Sequence, residues 1–214
     1  MGLPRKTNTK YKYYMNNFRK EDSIMLLIDH QVGTLNFAAN RPKEMIVNRA
    51  SSLAKLAKAL NIPVVLTTSQ EDHFQGLLIP ELQEILPDEY SNRVKRMGIT
   101  NAWKDPNYKT AVLKAANGRK NIIMAGLTND VCIVFPSVSM AEEGFNVVVV
   151  IDAGGSPTQI ADEVARSTWE KGGVRTTTIT QLFSELVADW GSEEGGKAIK
   201  VLAENIIPTF GKFA

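Results

Sequence analysis

Apolar residues fall along this chain in two alternating patterns. The first is a short unbroken run, seen at Ser23–Asp29, Ile62–Ser69, Asn121–Ala125, Asn146–Asp152 and Val174–Thr180. Continuous rather than alternating apolarity suits a strand covered on both faces, as in parallel sheets, and the β-branched residues of the last run favour the same state. The second pattern has helical spacing. Lys43–Asn61 sets Ile46, Ala50, Leu53, Ala57 and Leu60 on one stripe, and Asn107–Asn117 closes on Asn117–Gly118, a left-handed stop. Further helices are predicted around Pro80–Leu86, from Cys132 to Glu142–Gly144, and over Gln159–Lys171, Gln181–Trp190 and Glu193–Asn205, with Ile206–Ala214 as a tail. Pro136 is close enough to Cys132 to kink that helix. Asn92–Gly98 reads as a turn or as a short sixth strand. Strands alternating with helices make right-handed crossovers. The prediction is therefore a three-layer, Rossmann-like α/β fold, a mainly parallel sheet of about six strands with helices on both faces.

Composition narrows this picture. A chain of 214 residues is one domain by default, and 43% apolar with 22% charged residues is ordinary for a globular protein. No apolar run approaches a membrane span, so no membrane role is expected. One cysteine excludes an internal disulfide framework and points to a reducing, cytoplasmic setting. Charge is unevenly placed. Residues 1–20 hold Arg5, Lys6, Lys10, Lys12, Arg19 and Lys20 and no acid, leaving 19 basic against 23 acidic residues in the rest. The reading is a basic N-terminal arm at 1–20 on a single mildly acidic domain at 21–214. Such an arm serves as a packing arm between copies or as an organellar import signal. Nothing basic and aromatic recurs elsewhere, so nucleic acid is not an expected partner.

In parallel sheets, ligands sit beyond the carboxyl ends of the strands. Asp29, Thr67–Ser69, Gly126–Cys132 and Asp152 all end such runs. Cys132 is expected in the first turn of a helix capped by Asn129 or Asp130. There, free N–H groups and the helix dipole favour thiolate and could hold an oxyanion. A carboxylate such as Asp29 could act as its general base. Plainer roles stand beside these. Lone cysteines commonly behave as small hydrophobes, Asp29 could cap a loop, and Lys95–Arg96 could be a solvated basic turn. No phosphate-cradling glycine motif follows a strand, and His30 and His73 lie too far apart for zinc-ligand spacing, so neither nucleotide cofactor nor metal is expected.

Five stretches together resemble a known family. They are Leu26–Gln31 (LLIDHQ), Arg96–Trp103 (RMGITNAW), Ala125–Cys132 (AGLTNDVC), Glu143–Gly144 and Val150–Ala153 (VIDA). In order and spacing, across roughly residues 20–190, the chain resembles the isochorismatase-like cysteine hydrolases. Thr67–Ser69, Pro80–Leu82, Asn101–Trp103 and Phe135–Pro136 resemble its YcaC-like branch. The resemblance implies a triad of Asp29 as base, Cys132 as nucleophile and a basic residue at Arg96, with Lys95 beside it. The wider family usually has lysine at that position, so arginine is a departure. It also implies a cis peptide between Leu127 and Thr128, with the Thr128 and Cys132 N–H groups as oxyanion donors. Some relatives hold a metal through an aspartate after the second strand. Ser69 stands there in this chain and only His73 follows, so no catalytic metal or other cofactor is expected.

The activity implied is hydrolysis of a carbon–nitrogen bond in a small amide-type molecule through a thioester-type intermediate. The alternative is a redox-active or ligand-binding single-cysteine oligomer without hydrolase activity. Cys132 argues against isochorismatase chemistry proper, which does not need a thiol. The pocket walls expected are Gln31, Leu35, Phe37, Asn101, Trp103 and Phe135, and the resemblance implies a homo-oligomer, an octamer.

Overall fold

The computed structural model describes residues 18–213. Its centre is β1 (Ser23–Ile28), every residue of which is buried. Around it the chain forms α1 (Lys43–Leu60), β2 (Val64–Ser69), α2 (Pro80–Ile85), α3 (Pro87–Ser91), β3 (Val94–Arg96), α4 (Pro106–Ala116), β4 (Asn121–Gly126), α5 (Val134–Glu142), β5 (Asn146–Val150), α6 (Gln159–Lys171), β6 (Arg175–Thr177), α7 (Ile179–Val187) and α8 (Glu193–Val201). The six strands run parallel in the order β3-β2-β1-β4-β5-β6.

Side chains of a strand alternate between faces. Met25 and Leu27 of β1 enter one apolar cluster with α1, α2, α7 and α8. Ile24, Leu26 and Ile28 enter the other, with α4, α5 and α6. That is the predicted three-layer arrangement, and it explains why β1 reads as unbroken apolar sequence.

The ambiguous Asn92–Gly98 stretch is strand β3, three residues long, paired through Ser69↔Arg96. The last strand stops at Thr177, earlier than its β-branched run suggests. The Asp152 carboxylate accepts the Ile179 N–H at 2.9 Å, which starts α7 there and not at Gln181. Asp152 is thereby turned toward Arg49, 3.9 Å away, and is not a wall of the cleft described below. Pro136 falls in the first turn of α5, directly after the π-turn Asn129–Ile133, so its missing N–H lies where the two helical forms meet. Of the expected arm, residues 1–17 lie outside the described residues. Phe18 is buried in the α1-side core, so the globular body reaches back to that residue.

The chain leaves β1 for β2 and β3 on one side, then returns to β4, β5 and β6 on the other. Beyond the carboxyl ends of β1 and β4 this order opens a crevice, where ligands bind in open parallel sheets.

Candidate active site

Three segments meet in that crevice. Asp29 is the first residue past β1, at φ +55°, a left-handed conformation that aspartate tolerates better than most residues. Its N–H donates to the Thr67 carbonyl at 3.0 Å, pinning the turn to β2. Arg96, the last residue of β3, brings Nη2 within 2.5 Å of both Asp29 oxygens. Its Nε donates to Thr67 Oγ1 at 3.0 Å and its Nη1 to the Ile99 carbonyl at 3.1 Å. Both side chains are about 1% exposed. Lys95, the other basic candidate, points outward to Glu71, 2.7 Å away. The basic residue facing Asp29 is therefore Arg96.

Cys132 arrives from the β4 side. The peptide between Leu127 and Thr128 is cis. The Leu127 N–H donates to the Ile28 carbonyl at 3.1 Å, and the Asn129 N–H to the Gly155 carbonyl at 2.9 Å. Residues Asn129–Ile133 then form a single π-turn before α5. Neither Asn129 nor Asp130 caps it. The Asn129 amide is spent on the Asp162 carboxylate at 3.0 Å, and Thr128 occupies the cap position. Asp162 is also held by Arg41 at 2.7 Å and Ser156 at 2.7 Å, so a buried polar cluster anchors the cysteine turn.

Cys132 and Asp29 line the same cleft, and the sulfur lies near enough to the Asp29 carboxylate and the Thr128 N–H for each to act on its protonation. Burial and the negative charge of Asp29 push the thiol up to about 12, against the weaker pull of the Thr128 N–H and Arg96. This reverses the expectation of a standing thiolate. The wide turn takes Cys132 out of the first turn of α5, and its nearest charge is the carboxylate. Asp29 is itself raised by burial, with Arg96 and Cys132 opposing. For Arg96, burial works against the charge, but Asp29 outweighs it and holds the guanidinium above its ordinary value. The resting pair is thus a thiol beside a carboxylate held in place by a permanent cation.

Cys132 and Asp29 form the floor of a cleft of ≈ 270 Å³. Of the expected walls, Phe37 lines it. Gln31 is fully buried and ties the loops together, donating to the Ser69 and Gly76 carbonyls and accepting the Ser69 N–H. Leu35 packs into the α1-side core. Asn101 binds Ser139 Oγ and caps the turn carrying Trp103, which is buried edge-on against Phe145 on the opposite layer. Phe135 is half exposed on α5, away from the cleft lining. The walls that sequence reasoning missed include Thr34, Phe74, Gln75, Asp130 and Pro157. An aromatic residue inside the polar stretch Gln70–Gly76 was the available signal for Phe74. Among the described residues, no group of three or more His, Cys, Asp and Glu side chains comes together as metal ligands would.

A sequence-family profile for the isochorismatase domain matches residues 23–181. The chain is 37% identical over 191 residues to the probable hydrolase YcaC of Escherichia coli K12, covering 89% of each. It is 27% identical to isochorismatase domain-containing protein 2 of Rattus norvegicus, covering 87% of this chain and 83% of the relative. A structure of Pseudomonas aeruginosa YcaC with hexane-2,5-diol and covalent acrylamide superposes with a TM-score of 0.85 at 33% identity, covering 94% of this chain and 96% of that one. The crystal structure of E. coli YcaC, an octameric hydrolase of unknown specificity, superposes with a TM-score of 0.82 at 34% identity, covering 91% and 93%. The chain therefore belongs to the isochorismatase family of hydrolases.

Proposed function

We propose that the protein is a cysteine hydrolase that cleaves a carbon–nitrogen bond in a small amide-type molecule. As the Cys132 sulfur attacks the carbonyl carbon, its proton passes to Asp29. The oxyanion lies against the Thr128 and Cys132 N–H groups. Asp29 then gives its proton to the departing nitrogen, leaving a thioester on Cys132. Water attacks the thioester, Asp29 takes the water's proton, and that proton returns to the sulfur as the acid leaves. Arg96 is charged at any working pH and its donors are engaged, so it holds Asp29 and moves no proton.

The observation that carries this reading is the Asp29 carboxylate, held by Arg96 and lining the same cleft as the Cys132 thiol. The test is ammonia release from acetamide, acrylamide, benzamide and related primary amides by wild type and by Cys132→Ala. Release by the wild type alone supports the reading, and equal rates from both overturn it. The redox alternative predicts sulfenic acid on Cys132 under mild peroxide and no ammonia release from any of these amides.

The assembly follows the octameric plan given for E. coli YcaC. Exposed Ile160 and Val164 on α6 and Phe135 on α5 are apolar surface that packing between copies would cover. Sedimentation well above the 23.6 kDa of one chain is expected, and a monomer throughout would overturn it. No helix among the described residues is long and apolar enough to cross a membrane, and the place of action proposed is the cytoplasm.

A further inference from the structure

The charges around the cleft are lopsided. Among the described residues that line it there is no lysine, arginine or histidine. Arg96 lies behind the floor, with its nitrogens engaged by Asp29, Thr67 and Ile99. A carboxylate entering the cleft would meet none of the donors that normally receive one.

The negative side is open by contrast. Asp29 is matched by Arg96, but Asp130, two residues before the nucleophile, is among the residues lining the cleft, and its carboxylate has no cation or hydrogen-bond donor among the described residues. A buried acceptor left unbonded is costly unless something fills it. Phe37 and Phe74, which also line the cleft, stand edge to face, with ring centroids 5.5 Å apart at 79°, and are 45% and 65% exposed. Aromatic faces attract cations.

We infer that the cleft selects by charge, accepting a small amide-type substrate that bears an ammonium or quaternary ammonium group and rejecting anionic ones. The cation lies between Asp130 and the Phe37–Phe74 pair, and the reacting carbon lies over Cys132. This rests on the reading of Cys132 as the reacting atom. It adds Asp130 as a specificity-determining residue.

The test uses two thiol reagents of equal length and opposite charge, 2-(trimethylammonio)ethyl methanethiosulfonate and 2-sulfonatoethyl methanethiosulfonate. Each transfers its thioalkyl group to a thiol as a disulfide and releases methanesulfinate, so no further oxidant is needed. The chain has a single cysteine, so intact mass reads Cys132 alone. Rates are divided by those for free cysteine. The wild type is expected to prefer the cation by about tenfold or more, in the range that clefts of one sign produce. Asp130→Asn brings the ratio close to one, and because the ratio is internal to each protein, a general loss of reactivity cancels. A wild-type measurement at rising ionic strength needs no variant, and the preference must shrink there. Equal rates or an anion preference in the wild type would overturn the inference, as would a full preference surviving in Asp130→Asn. No labelling by either reagent would instead strike the underlying reading of an accessible Cys132.

Discussion

Asp29 faces two opposing demands. Burial favours its neutral form, while Arg96 favours its charged form, and in the proposed mechanism the carboxyl takes a proton from sulfur. Removing the cation leaves only the first influence. Arg96→Met keeps length and apolar packing but strands an unpaired carboxylate beneath the sheet edge. Breaking such a buried pair from one side costs about 3–5 kcal/mol. We expect a urea midpoint lowered accordingly and amide hydrolysis lost, while Arg96→Lys retains part of both because it restores charge without the fork of donors. A variant with unchanged midpoint would mean that the pair contributes nothing. Asp29 could be placed past a strand end from its apolar run and Cys132 after the turn at Gly126. Arg96 was reached only through the family resemblance, with Lys95 beside it as the other candidate until the ion pair set Arg96 against Asp29. The state of the thiol was not legible in the sequence. A helix start promised a thiolate, and burial of the sulfur together with the nearby Asp29, a residue far away in the chain, reverses it.

At the scale of elements, the site depends on how closely β1 and β4 approach. Their register pairs Ile28 with Gly126. A Cβ added at Gly126 would stand 2.1 Å from the Ile28 carbonyl oxygen and 2.6 Å from Ile133 Cδ1, so backbone would have to move. Gly126→Ala therefore separates the strand that ends at Asp29 from the strand that leads to Cys132. Overpacking of this kind costs about 1–3 kcal/mol, occasionally more. Chemical denaturation should register that loss, and iodoacetamide labelling of Cys132 should change with it. A stable variant with unaltered labelling would show that the approach can relax.

The strands themselves could be read from unbroken apolar runs, since burial on both faces leaves that mark. The helix face that supplies a wall could not. Asn101, Trp103 and Phe135 belong to the right segments, but Asn101 and Trp103 serve the α4–α6 layer and Phe135 faces outward, and a one-dimensional pattern does not say which way a loop turns. Phe74 and Asp130 enter through a turn and a π-turn, whose geometry depends on partners distant in sequence.

Over the whole molecule, a sheet covered on both faces encloses polar groups whose proton affinities shift in opposite directions, and these set its response to acid. Burial brings His30 down to about 4 from its ordinary 6.5, with its hydrogen bond to the Ala153 carbonyl only partly opposing. Between those values the unfolded chain binds a proton that the folded chain refuses, so stability falls as pH drops from about 6.5 to about 4. Glu71 acts lower on the scale. Burial alone would raise it, but Arg93, Lys95 and Thr68 bring it down to about 2 from 4.5, and its contribution is lost as pH falls across that interval. Asp29 works the other way. Its folded carboxyl takes up a proton at higher pH than the unfolded one, which offsets part of the loss in acid. Urea midpoints measured from pH 7 to pH 3 should therefore decline in the wild type from about pH 6.5 downward. His30→Gln, which keeps an amide donor for the Ala153 carbonyl, should flatten the upper part of that decline, and Glu71→Gln the part below about 4.5. If His30→Gln instead leaves the slope between pH 6.5 and 4 as it was, then the imidazole is reached by protons in the folded state, and the interior beside Asp29 is wetter than the packing around it requires.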